Sequence, residues 1–359
     1  MKSQNLDIQF FKFVYSCIIV LYHLTGSTAI NCKGGYCGVE YFLLTAGLFL
    51  FLSFQRGEKT GRQYTPGQYL TKRFLRFLPW STTAFIVAAL VERVWINPTT
   101  SLVTWFDYFA SDIWELLMIK WNGMNNNLLL LNGPAWTLSA MLIVGFLIWT
   151  FMYYYKKPFL TLVMPLTLIV GFGYWMHLPS ADTEIWLGVT TFGTYRTWLV
   201  MCLSLFCIPM AQKLADYPLN KKGKILLTIV EIVIHVVALM VIFTRAQRYH
   251  QWLIILLFMM SIAIALSGHS YLVRFFGKSR FVYFLGELSM SIYLMHVSVI
   301  RVFRHLFDIS TWSYYELLPL FAVLLVVAVA HFYGTKWAVK GVSGLWKTIK
   351  RAITIQENA

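Results

Sequence analysis

Long apolar runs separated by short, mostly basic connections account for nearly the whole chain. A helix of about 20 apolar residues crosses the hydrocarbon core of a bilayer, and shorter runs are tolerated at some mismatch cost. Ten runs meet that requirement: residues 8–30, 39–54, 77–95, 136–154, 159–175, 198–214, 225–243, 252–266, 282–302 and 317–338. The pattern predicts an all-α polytopic membrane protein with about ten transmembrane helices. No internal repeat interrupts it, so residues 1–359 read as a single integral membrane domain. The longest connection, 96–135, mixes aromatics with acids around Trp105 and Trp114, as expected for short helices lying in the membrane interface. The basic tail, about 339–359, is expected to lie along the inner leaflet.

Composition agrees with this pattern. The chain is 58% hydrophobic and only 13% charged, with a mean hydropathy of +0.63. A soluble domain would carry about twice that charge. The net charge of +15 would in isolation suggest a nucleic-acid binder, but the basic residues lie between apolar runs rather than on one domain, so no nucleic-acid partner is expected. With the N-terminus placed in the cytoplasm, 22 of the 30 Lys and Arg residues fall inside. The positive-inside rule thus predicts an even number of spans with both termini cytoplasmic. The first run is too long for a cleavable signal and is expected to remain as an anchor. Five cysteines are too few for a disulfide framework. Cys32 and Cys37, which flank a short Lys-Gly-Gly-Tyr turn, are the one pair that an oxidising compartment would allow to bond.

Several polar residues interrupt the apolar runs, where they are costly and rarely idle. Lys12 and His23 stand eleven positions apart in the first run. At about 100° per residue they share one helix face, about 16 Å apart along it. Glu40 follows a glycine-rich turn, and a carboxylate there is placed to orient the His23 imidazole. Arg73 and Arg76 are neighbours on one helical face just before Pro79; paired guanidinium groups suit phosphate, and they also serve as ordinary juxtamembrane anchors. Ser289, Tyr293 and His296 form a polar stripe at i, i+4 and i+7. Glu231 and His235, spaced i and i+4, read as a mutually satisfied pair or a proton-relay element.

Taken together, these stretches resemble acyltransferase family 3, the integral membrane O-acyltransferases of bacterial surface polysaccharides and related acceptors. Lys12 and His23 match the family's basic residue and histidine in the first helix. Gly38 to Gly47 is similar to its Gly-Val-acid-aromatic-Phe run, with Ala46 in place of a serine. Arg73, Arg76 and Pro79 match Arg-x-x-Arg-x-x-Pro, and Gly286 through His296 matches Gly-Glu-x-Ser-x-x-x-Tyr-Leu-x-His. The likeness runs along essentially the whole chain. Two departures stand out. Met141 occupies the place of a glutamate in the family's Trp-Ser-Leu-x-x-Glu, which begins here at Trp136, and the acidic-proline pair near the last span is replaced around His331.

The resemblance implies a multi-pass protein of the bacterial inner membrane. It would move an acyl group, most often acetyl, from cytoplasmic acyl-CoA to a hydroxyl of an extracytoplasmic glycan or lipid-linked sugar. No permanently bound cofactor and no metal is implied. His23 would act as base or as a transiently acylated nucleophile with Glu40 beside it, Lys12, Arg73 and Arg76 would hold the donor's phosphates, and Trp136, Tyr293 and His296 would contact substrate. A proton-coupled transporter or flippase is the rival reading, and the sequence leaves a homo-oligomer open.

Overall fold

The computed structural model describes residues 6–118, 131–177, 189–244, 248–276 and 279–357. Thirteen α-helices follow one another among these residues, with no β-strand: α1 (Leu6–Leu24), α2 (Gly38–Thr60), α3 (Pro66–Ala89), α4 (Leu102–Leu116), α5 (Trp136–Pro158), α6 (Met164–His177), α7 (Val189–Leu203), α8 (Cys207–Asp216), α9 (Lys221–Thr244), α10 (Arg248–Ser267), α11 (Tyr271–Phe276), α12 (Arg280–Leu306) and α13 (Leu317–Glu357).

Nine helical segments among the described residues are long and apolar enough to cross a membrane, so the chain is an all-α, multi-pass membrane protein. One of the nine, Gly133–Trp175, is 43 residues long. A straight helix of that length would run about 65 Å, roughly twice the hydrocarbon thickness. It does not run straight. Tyr155 leaves helical geometry (φ −134°, ψ 39°) beside Pro158, and α5 and α6 are its two arms. The fourth and fifth runs of the sequence pattern are these arms, which accounts for nine segments where ten were expected.

The first span is shorter than its apolar run. The chain leaves α1 after Leu24, turns at Gly26 with φ +82°, and returns its Thr25 and Thr28 hydroxyls to the Leu21 and Leu24 carbonyls at 3.2 and 2.9 Å. Those bonds satisfy carbonyls that the helix end leaves open. At the other side of the bundle, α3 starts on a capping box in which Thr65 and Gln68 exchange bonds at 3.4 and 3.0 Å, with Pro66 in the first helical position. Among its described residues the interfacial stretch holds one α-helix, α4. Both of its aromatic-acid clusters lie in α4, whose Leu102, Val103, Phe106 and Phe109 are exposed.

The packing that positions the site is that of α1 against α12. Gly286 permits it, since a Cβ there would stand 3.0 Å from Gln9 Cα on α1. Helix α2 approaches α7 as closely at Gly47, where a Cβ would meet the Met201 carbonyl at 2.5 Å. Helix α13 is tied to the bundle through His331, bonded to Thr83 of α3 at 2.9 Å and to Ser291 of α12 at 3.0 Å.

Candidate active site

A cavity of about 500 Å³ opens between α1, α2, α3, α5 and α12. One face of α2 forms a long wall: Val39, Phe42, Ala46, Phe49, Ser53 and Arg56 line it at helical spacing. From Val39 to Arg56 that wall measures about 25 Å along the helix. The cavity is therefore an elongated channel, sized for an extended ligand.

One end is cationic. Lys12, Arg56, Arg73 and Arg76 all line the cavity. Arg73 is held by its own helix, donating from Nε to Tyr69 Oη at 3.3 Å, while Tyr69 stacks on Trp149 at 4.4 Å and Trp149 donates to the Tyr64 carbonyl at 3.0 Å. One acid, Glu287, lies among the lining residues and is paired with Lys336 at 3.0 Å, so the four cations outnumber it. A wall of positive charge opening into a narrow, partly apolar channel suits a ligand with a polyanionic head and a slender tail.

The other end reaches Tyr293, one turn of α12 short of the histidines. Tyr293 lines the cavity, and its hydroxyl is bonded to Thr137 Oγ1 at 3.1 Å, which also lies 3.1 Å from the Pro134 carbonyl. One turn along α12, the His296 ring lies 5.9 Å from the Tyr293 ring and 4.8 Å from the His23 ring, centroid to centroid. His296 Nδ1 lies 2.7 Å from the Tyr293 carbonyl oxygen, which only accepts, so the Nδ1–H tautomer is assigned. Its Nε2 then carries a lone pair, and that atom is buried without a partner. The backbone end of His23 is fixed from outside the pair: Arg304 Nη2 donates to the His23 carbonyl at 3.2 Å and also bonds Ser27. Adjacent imidazoles at the end of a channel are equipped to take and return a proton.

The structure thus brings Lys12, Arg73, Arg76 and Tyr293 into one cavity and sets His296 and His23 beyond its inner end. Glu40 goes elsewhere. It is fully buried and paired with Arg196 of α7, whose Nε donates to Glu40 Oε1 at 2.5 Å. The partner the structure shows for this buried carboxylate is Arg196, where the sequence suggested a role beside His23. Trp136 packs its ring against Gly193 of α7, where a glycine Cβ would stand 3.1 Å away; Thr137, one position on, is the residue that faces the cavity. Met141, at the site of the expected glutamate, lines the cavity and makes that wall apolar.

Glu231 and His235 do not satisfy each other. His235 Nδ1 bonds Tyr15 Oη at 2.8 Å and its ring stacks on Phe11 at 3.3 Å, both on α1. Cys32 and Cys37 are free thiols, each buried, and burial pushes the Cys32 thiol up to about 12. Sequence reasoning passed over Arg56, Thr137, Arg196 and Arg304. Arg56 lies on the α2 stripe and had a periodicity signal; the others depend on which helices become neighbours.

The sequence profile of a family described as an acyltransferase domain matches residues 5–333. The chain belongs to acyltransferase family 3. The match takes in every residue of the cavity and both histidines, so this membrane acyltransferase has its channel and imidazole pair within the family's own domain. No curated protein and no solved structure matches the chain.

Proposed function

We propose that this protein transfers an acyl group, acetyl in the simplest case, from acyl-CoA to a hydroxyl of an extracytoplasmic acceptor such as a surface glycan. The observation that carries this reading is the continuity of one channel, from the cations Lys12, Arg56, Arg73 and Arg76 to Tyr293 and the histidines behind it. The donor's phosphates bind at the cationic mouth and its pantetheine arm runs along the α2 wall. The mouth faces the cytoplasm, in keeping with the excess of basic residues on that side, and the membrane is the bacterial inner membrane.

In this reading the acceptor hydroxyl gives its proton to the imidazole of His23, its oxygen bonds the thioester carbonyl carbon, the C–S bond breaks, and the proton passes to the departing thiolate. Tyr293, held at its hydroxyl by Thr137, supplies the donor for the developing oxyanion. His296, with an unpaired Nε2 and its ring 4.8 Å from that of His23, sustains the proton transfer there.

The test is direct. The purified chain in lipid nanodiscs is given radiolabelled acetyl-CoA, and free CoA is measured over time. Consumption by the wild type that is lost in His23→Ala supports the reading. A wild type that leaves the thioester intact points to a transporter or flippase.

A further inference from the structure

At its Tyr293 end the channel changes character. The mouth is cationic, but here the lining is Val39, Phe42 and Ala46 of α2, Leu138 and Met141 of α5 and Met290 of α12. These side chains converge on one place. The Phe42 ring lies 5.8 Å from that of Tyr293, centroid to centroid, with Val39 and Ala46 one turn to either side of it on α2. Met141 stands one turn beyond Thr137, which is bonded to the Tyr293 hydroxyl at 3.1 Å, and Met290 stands one turn before Tyr293.

The hydroxyls in this part of the lining do not make it polar. Thr45 Oγ1 donates to the Phe42 carbonyl at 3.0 Å and Ser289 Oγ to the Gly286 carbonyl at 2.6 Å, so each is satisfied by its own helix. Thr137 Oγ1 sits between the Pro134 carbonyl and the Tyr293 hydroxyl, 3.1 Å from each. What remains is an apolar chamber with the Tyr293 hydroxyl at its edge. A glutamate in place of Met141 would set a carboxylate in its wall; the thioether leaves it uncharged.

Size decides which acyl group suits this chamber. From Val39 to Ala46 the α2 wall runs about 10 Å. At about 1.2 Å per bond, an acetyl group reaches about 1 Å past its carbonyl carbon and a hexanoyl group about 6 Å. Acetyl therefore leaves most of the wall bare, whereas each further methylene buried against it favours binding about fourfold. Resting on the donor reading above, we infer that the chamber holds the acyl chain of the donor, and that this chain is longer than acetyl, of butyryl to hexanoyl size. Acetyl-CoA is then a usable but poor donor. Met141 and Ala46 are specificity-determining residues, since one keeps the chamber uncharged and the other keeps it open.

The test uses the full chain in nanodiscs and measures kcat/KM for release of free CoA from acetyl-CoA, butyryl-CoA and hexanoyl-CoA, with empty nanodiscs as the blank. Binding of free CoA, which has no acyl chain, reports whether each variant folds. In the wild type kcat/KM should rise about tenfold or more from acetyl-CoA to butyryl-CoA, and again to hexanoyl-CoA. Met141→Glu, which sets a charge in the chamber, and Ala46→Phe, which fills it, should each cut that preference to below threefold. A wild-type difference below threefold between acetyl-CoA and butyryl-CoA overturns the inference and leaves the donor reading standing. A preference that survives both variants also overturns it, because the chain then lies elsewhere, as does loss of CoA binding in both, which marks the two positions as structural. A wild type that releases CoA from none of the three removes the donor reading, and the inference falls with it.

Discussion

His23 on α1 and His296 on α12 place their rings 4.8 Å apart, centroid to centroid, one turn of α12 beyond Tyr293, which lines a cavity whose far mouth is cationic. The pair exists because α1 and α12 approach closely, and it gives the site two proton-accepting atoms in one buried place. The two residues are expected to differ in weight. His23→Ala removes the proposed base and should lower kcat by about 10²–10⁴-fold, the range for a general base. His296→Gln keeps a polar group of similar reach and should lower it less. Steady-state kinetics on both variants, with the amount of folded protein checked by size-exclusion chromatography, decides this; a His23→Ala enzyme with near-normal kcat would refute the assignment.

The mouth makes a different prediction. Arg56, Arg73 and Arg76 contact phosphate in the proposed complex and not the reacting carbonyl, so alanine variants should raise the acyl-CoA KM with little change in kcat. Charge-assisted bonds to phosphate are worth roughly 1.5–3 kcal/mol each, so single substitutions should raise KM about tenfold or more. The wild-type KM should itself rise with ionic strength, and the slope should be shallower in the variants. A kcat defect without a KM change would move these arginines out of the donor site.

Gly286 links this chemistry to the packing. A methyl group at this position would meet Gln9 of α1, so α1 must shift and carry His23 with it. Gly286→Ala is expected to destabilise the protein by about 1–3 kcal/mol, the usual cost of overpacking. It should also depress activity more than stability. Thermal unfolding and kcat measured on the same preparation separate the two effects, and a variant with wild-type kcat would show that the helix approach is not what sets the pair.

Much of this was legible in the sequence, and the part that was not has a common cause. Ten apolar runs, the shared face of Lys12 and His23 and the spacing of Arg73 and Arg76 are local periodicities, and local periodicity survives folding. The partners of buried polar groups are not local. Glu40 follows the glycine turn directly, and nothing near it in sequence points to Arg196, which reaches it only because Gly47 lets α7 lie against α2. Likewise Glu231 and His235 are neighbours on one helix, yet His235 bonds Tyr15 of α1, because α1 packs beside α9. Gly26 ended the first helix earlier than hydrophobicity indicated, since a left-handed turn overrides an apolar run.

The Glu40–Arg196 pair supplies the last prediction, because its structural and catalytic readings diverge on measurement. Both side chains are buried, with 0% and 2% of their surface exposed. Removing one partner strands the other charge in an apolar interior, at a cost of about 3–5 kcal/mol. Replacing both by apolar residues of similar volume avoids that cost. A purely structural pair therefore predicts that Glu40→Leu and Arg196→Met each collapse stability and activity together, while the Glu40→Leu, Arg196→Met double variant recovers most of both. A catalytic Glu40 predicts otherwise: the double variant would fold and remain inactive. Denaturation midpoints and acetyl-CoA turnover on the three variants distinguish the outcomes. The bond from Glu40 to Arg196 of α7 favours recovery.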